Sequence, residues 1–383
     1  MKRLLFIGLL IGIFNQASFA QDKKAKFGLE VFKDSLDGQL DMSRFLIEYH
    51  GFIPLAQLIT EPALGGIGGM LTPIFIQPNK YQDSTKYVAP DITAAFGGYT
   101  RNKSWFVGGM RIASLPKHKL KYRIGVAHGD VNMDFYRVLP VVGEQKFGFN
   151  FQASGIFGSI MRELGNSDLY LGLDYLFARN RVSANFDQIP LPDFVKDKDL
   201  DSNLSSLGLT LDFDKRDNLF TPNQGWYLAG DFLVNDSWTG SDYSFHTLNF
   251  SVFNYQQFGK QWVSGLRLQT KIQGGDAPFY LKPAINARGV PMSRYQGDAA
   301  YTLETEQRYD FTRRWSGLVF AGISKAPSED ISFGDAESIV NYGTGFRYLI
   351  ARKFKIRTGI DVAWSKNDFG WYIVFGSAWN NRN

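Results

Sequence analysis

Cysteine is absent from this 383-residue chain, and histidine occurs only four times. Without thiols there is no disulfide framework, no thiolate zinc site, no cysteine nucleophile and no acylatable cysteine at a processed amino terminus. The four histidines show no metal-ligand spacing, so neither a catalytic metal nor a cofactor is expected. After the first twenty residues there is also no run of about 18 apolar residues, which excludes membrane-spanning helices. The formal charge is only +5 and no basic run occurs, too little to argue for nucleic acid as a partner.

What the chain has in quantity is glycine (39) and aromatic side chains (33 Phe, 18 Tyr, 8 Trp), a composition of many strands and turns. Residues 1–20 read as a cleaved signal peptide. Lys2 and Arg3 form its positive start, Leu4 to Phe14 its short apolar core, and Ala17-Ser18-Phe19-Ala20 the small residues before the cut. Period-two alternation then dominates. From Gln261 to Gln273, Trp262, Leu266, Leu268 and Ile272 share one face, and Gly265, Arg267, Gln269 and Lys271 the other. The same division recurs in 168–177, 207–216 and 354–365.

A soluble sandwich also alternates, but its strands usually last about five or six residues, and several runs here are about twice as long. That length fits the roughly 9 to 11 residues of a tilted membrane strand. Sixteen strands are expected, near 52–60, 66–77, 91–101, 104–115, 120–137, 144–164, 168–186, 204–216, 225–235, 243–259, 261–275, 298–312, 314–326, 337–351, 354–367 and 370–380. The fold expected is therefore all-β: a 16-stranded antiparallel transmembrane barrel over 52–383, preceded by a short periplasmic segment, 21–51. Loop lengths agree with an outer-membrane location, because the long connections 187–203, 276–297 and 327–336 follow odd strands and the tight turns follow even ones. Connection 78–90 breaks the rule. In the leading segment, Met42, Phe45, Leu46 and Tyr49 share a helical face behind Asp41 as N-cap, so a short helix is expected across the periplasmic mouth. Asp34, Asp37 and Asp41 lack the spacing of a calcium loop and are read as solvated.

Asp214, Arg216 and Asp217, followed by Pro222 and Gly225-Trp226, form an acidic strand end, a Pro/Gly turn and an aromatic return strand. This resembles the corresponding periplasmic turn of the BamA/TamA superfamily, whose barrel is called the bacterial surface antigen domain. In the same order, Ala287-Arg288-Gly289-Val290 resembles that family's inward-folded loop motif, and Glu306-Gln307-Arg308 its Glu-x-Arg strand position. The last strand, with Phe375, Gly376 and Trp379, resembles its carboxyl-terminal assembly signal. The resemblance is strongest over 204–380 and implies a 16-stranded barrel whose loop arginine meets acids in the lumen.

Two departures stand out. Gly322 occupies the place of the family's strand aspartate, which leaves Glu304 and Glu306, lumen-facing by parity, as partners for Arg288. The segment 21–51 is also too short for one of the family's periplasmic POTRA domains.

The resemblance implies a barrel assisting insertion, assembly or surface export of other proteins; the alternative is a pore or structural subunit of a larger outer-membrane complex. Implied partners are outer-membrane lipids, the barrel assembly machinery during biogenesis, and client proteins or partner subunits. The first strand carries Pro54 near its start and has Pro62 just beyond its end, so it offers few ladder hydrogen bonds to close the barrel. Catalysis is not expected: Ser244 with His246, and His128 with Asp130, share strand faces only because alternate residues always do.

Overall fold

The structure is a computed structural model, and it describes residues 29–48, 52–77, 79, 90–139, 143–185, 192, 194–366 and 368–379. Sixteen strands follow one another in a single antiparallel sheet: β1 (Phe52–Ile59), β2 (Gly68–Gln77), β3 (Asp91–Thr100), β4 (Trp105–Leu115), β5 (Leu120–Leu139), β6 (Gly143–Glu163), β7 (Leu169–Ala184), β8 (Asp201–Asp214), β9 (Gly225–Asn235), β10 (Ser244–Phe258), β11 (Trp262–Asp276), β12 (Ala299–Asp310), β13 (Trp315–Lys325), β14 (Ile339–Ala351), β15 (Ile356–Ser365) and β16 (Asp368–Phe375). Each pairs with its neighbours in sequence from β1 to β16. Apart from the one after β2, the long connections lie at one end, and the short turns lie with the amino-terminal segment at the other, the periplasmic end of an outer-membrane barrel. The signal peptide and most of the long 78–90 connection lie outside the described residues.

Alternation is realised as expected. Trp262, Leu266, Leu268 and Ile272 are exposed on the outside of β11, where lipid covers them, while Arg267 and Gln273 are buried inside. Strands β5 and β6 are much longer than a bilayer requires and stay paired to their tips, Leu139 opposite Gly143. Their ends carry Phe135, Phe147, Phe149 and Phe151 into one apolar cluster with Phe279 from the β11–β12 loop and Val195 from the β7–β8 loop. That cluster lies at the outer end of the barrel.

Two expectations fail. Asp34, Asp37 and Asp41 are not solvated: Asp34 and Asp41 are buried, and all three converge on the guanidinium of Arg314 in the β12–β13 turn. Arg314 Nε donates to Asp37 at 2.8 Å and Nη1 to Asp41 at 2.6 Å, while Nη2 reaches Asp34. Arg352, in the β14–β15 turn, donates to Asp34 at 2.6 Å. The sequence hid this because the two arginines lie about 300 residues downstream, in turns whose meeting with the segment only the closed barrel brings about.

The same segment carries helix α1 (Ser43–Glu48), with the Ser43 amide donating to Asp41 at 2.7 Å. Its Phe45 and Leu46 pack with Val31 against Ile53, Ala351 and Ile356. The segment is thus docked on the periplasmic rim by an apolar cluster and an ionic one.

The second failure concerns β16, which ends at Phe375 and not near 380. Gly376 takes φ +78, a left-handed conformation that costs glycine little, and turns the chain off the wall. Trp379, expected on the strand, is fully buried inside the barrel against Phe253 and Tyr255, with ring centroids 5.7 Å away in both cases.

Candidate functional site

The loop between β11 and β12 (residues 277–298, loop 6) folds into the lumen, held at its tip by Arg288. This side chain is 1% exposed. Its Nη1 donates to Glu306 at 2.7 Å and to Asp361 at 2.9 Å, its Nε lies 3.8 Å from Glu304, and its guanidinium stacks 3.5 Å over the Phe320 ring. Two further arginines complete the network: Arg267 reaches Glu304 at 2.5 Å, and Arg347 grips Asp361 through two bonds of 2.5 and 3.0 Å. Three cations and three acids therefore balance inside the wall. In that low dielectric, losing one partner would leave an uncompensated charge, at a cost of about 3–5 kcal/mol.

Asp361 is the partner that sequence reasoning missed. Parity places it in the lumen, but nothing local to β15 marks it as the acid that replaces the one absent at 322. The structure supplies the reason for Gly322: a Cβ there would stand 2.6 Å from both Glu304 Cγ and Asn341 Oδ1. The space an aspartate would need is filled by Glu304 and by Asn341, which donates to it at 3.1 Å. Gly345 in turn makes room for Asp361, whose Oδ1 would lie 2.1 Å from a Cβ. Beside Arg288, Gly289 sits at φ +85 and donates its amide to Tyr372 Oη on β16 at 2.8 Å. Loop 6 thus touches the last strand directly.

At the periplasmic end, Asp214 holds Arg216 through two bonds of 2.8 and 2.7 Å, and the guanidinium lies 4.3 Å over the Tyr227 ring. Asp217 accepts the amides of Asn223 and Gln224, which closes the turn around Pro222. Gly225, at φ +113, passes so close to Lys215 that a Cβ would sit 2.1 Å from its carbonyl oxygen. The turn crosses the mouth to the far strands. Ser377 donates its amide to the Phe220 carbonyl at 2.7 Å, Phe220 meets Phe375 edge-on at 6.4 Å, and the Arg357 amide donates to Thr221 at 3.3 Å. Arg308, on the same face of β12 as Glu304 and Glu306, bonds Asp310 at 3.1 Å and Asn223 of this turn. The turn motif and the carboxyl-terminal motif, read separately from sequence, are thus in direct contact.

The wall is incomplete in one place. Among the described residues no backbone ladder joins β1 to β16; the two strands are linked by Thr60 Oγ1 donating to the Trp371 carbonyl. A cavity of about 890 Å³ opens there, lined by Leu58 and Ile373 at the seam and by Asp231, Asn249 and Lys271 on the opposite wall. The paired residues weighed for catalysis lie elsewhere. Ser244, His246 and His128 are all exposed on the outer face, His128 bonded to Ser154 at 2.7 Å.

The Omp85 superfamily domain matches residues 84–293, more than half of the chain. A sequence search of curated proteins finds no match. Among solved structures, BamA from Haemophilus ducreyi lacking POTRA domains 1–3 superposes with a TM-score of 0.56 at 12% identity, over 84% of this chain and 69% of that one. CdiB from Escherichia coli gives 0.55 at 10% identity, over 83% and 61%, and CdiB from Acinetobacter baumannii 0.53 at 10%, over 85% and 59%. The chain therefore spans about three fifths of the CdiB structures, and the likeness to all three is one of fold. With more than half of its length matched by the family domain and its strands forming a sixteen-stranded barrel, the chain belongs to the Omp85 superfamily and is a β-barrel of the bacterial outer membrane.

Proposed function

We propose that this barrel assists the insertion, assembly or surface export of other proteins, and that the β1–β16 seam is where they engage. The observation that carries this reading is the missing ladder. Two strand edges face each other with Pro54 in one of them and a side-chain bond where backbone bonds would run. An unpaired edge in lipid is costly, and another strand can satisfy it. An open pore is less well supported: loop 6 is pinned across the lumen, an aromatic cluster packs it against the β5–β6 ends on one side, and the docked amino-terminal segment, the 215–224 turn and Trp379 crowd the other.

The test is photo-crosslinking in living cells from a reactive residue at Leu58, which is exposed beside the gap. Many different outer-membrane or surface proteins in the adducts would support client handling. A single stoichiometric neighbour would assign the chain to a fixed assembly, and the absence of any protein adduct would overturn the proposal.

A further inference from the structure

We infer that the lumen cavity is a binding site for a zwitterionic phospholipid that enters through the β1–β16 seam, its phosphate on Lys271 and its ammonium on Asp231. This inference goes beyond protein handling and needs only that the seam be passable.

Register creates the polar end of the site. Asp231 on β9, Asn249 on β10 and Lys271 on β11 stand directly opposite one another, so acid, amide and amine form one row on the inner wall. Two strand spacings put the outer members about 10 Å apart at the backbone. Asn249 donates to Asp231 at 2.6 Å. Lys271 feels the charge of Asp231 but forms no ion pair with it. The other cations lining the cavity are occupied: Arg123 by Asp212 at 2.6 Å, Lys282 by Asp298, and Arg288 by Glu306 and Asp361. The row thus offers one separated positive and one separated negative charge. A simple anion would gain Lys271 but meet Asp231, whereas a phosphoethanolamine group complements both.

The apolar end comes from the seam. The same cavity is lined by Leu58, Ile59, Ile373 and Val374, and Leu58 faces the bilayer. A lining that runs from a lipid-facing leucine to a lumen lysine suits a molecule with a tail in the bilayer and a charged head. The volume of about 890 Å³ is at the upper end of the range of about 300–1,000 Å³ usual for small-molecule sites.

The experiment uses the full-length protein in vesicles containing a photoactivatable phosphatidylethanolamine, with adducts mapped by mass spectrometry. Adducts on the row and its neighbours Ser251 and Gln269 are expected in addition to those on the outer face. Lys271→Gln should reduce the lumen adducts about tenfold, the loss of one charge-assisted contact, and Lys271→Arg should restore them. Soluble glycerophosphoethanolamine in excess should compete only weakly, because it lacks the tail. Cross-linking Leu58→Cys to Ile373→Cys should remove lumen adducts and leave the outer ones. Labelling confined to the outer face, full competition by the soluble head group, or lumen labelling indifferent to Lys271→Gln would each overturn the inference. Client capture at Leu58 with no lumen lipid would sink this inference alone, and lumen lipid without clients would sink only the protein-handling reading.

Discussion

Asp361 on β15 accepts hydrogen bonds from two arginines at once, Arg288 of loop 6 at 2.9 Å and Arg347 of β14 at 2.5 Å. One carboxylate thereby ties an inward-folded loop to the wall near the seam. Asp361→Asn should weaken both contacts and lower the barrel's resistance to urea by about 3–5 kcal/mol, the cost of breaking a buried ion pair from one side. Unfolding followed by gel mobility measures this. Unchanged stability would mean that Glu306 and Glu304 suffice.

Arg288→Ala removes the cation that Glu306 and Asp361 share, so loop 6 should leave the lumen. Single-channel recording should then show larger or more frequent openings than the parent barrel, and limited proteolysis should cut within 277–298. A trace and digest identical to the parent's would show that the loop is held by its other contacts.

Installing at position 322 the aspartate that the family resemblance implies there should not strengthen the network. Gly322→Asp places a Cβ 2.6 Å from Glu304 Cγ and Asn341 Oδ1, and adds a fourth acid to a balanced set. A loss of a few kcal/mol in the same unfolding assay is expected, about the scale of overpacking plus an unpaired charge. A gain in stability would contradict the view that the acid has moved to Asp361.

The periplasmic clamp predicts a pH response of definite sign. Bonds from Arg352 hold Asp34 well below the usual carboxylate range, and those from Arg314 lower Asp37. Asp41 is also lowered, because its bonds to Ser43 and Arg314 outweigh burial, which acts to raise it. Groups depressed in the folded state stabilise it above their ordinary value of about 4 and lose that contribution as pH falls further. The amino-terminal segment should therefore stay docked from neutral pH to about 5 and be released only in stronger acid. Arg314→Gln should release it at neutral pH. Protease accessibility of residues 29–48 reads both, and release of the parent segment near pH 6 would contradict the clamp.

Trp379 fills a slot against Phe253, Tyr255 and Gly265, where a Cβ on the glycine would lie 2.9 Å from the indole. Trp379→Ala should cost about 3–5 kcal/mol in unfolding, as expected for a large side chain removed from a packed site. Gly265→Ala should cost less but in the same direction. If Trp379→Ala slows membrane insertion and leaves the stability of the folded barrel untouched, the residue acts as an assembly signal and not as lumen packing.

The wall was legible because lipid outside and water inside impose period two on every strand, as in β11, where Trp262, Leu266 and Leu268 alternate with Arg267 and Gln269. Contacts made across the lumen were not. Arg288 was found through its motif and Glu306 by parity. Asp361 and the Arg314 clamp join residues 73 and about 280 positions apart, and no local period encodes such a meeting. Trp379 was misplaced for a related reason. An aromatic after an alternating strand reads as more strand until a left-handed glycine, visible only in the backbone, turns it inward.

The seam can be tested directly by closing it. Thr60 bonds the Trp371 carbonyl, and antiparallel register from that point sets Leu58 opposite Ile373. The measurement is the outer-membrane and surface protein content of cells whose only copy carries Leu58→Cys and Ile373→Cys, compared oxidised and reduced. The predicted result is the loss of particular outer-membrane or surface proteins under full oxidation and their return on reduction; an unchanged protein complement with the lock quantitatively formed would contradict a role for the open seam.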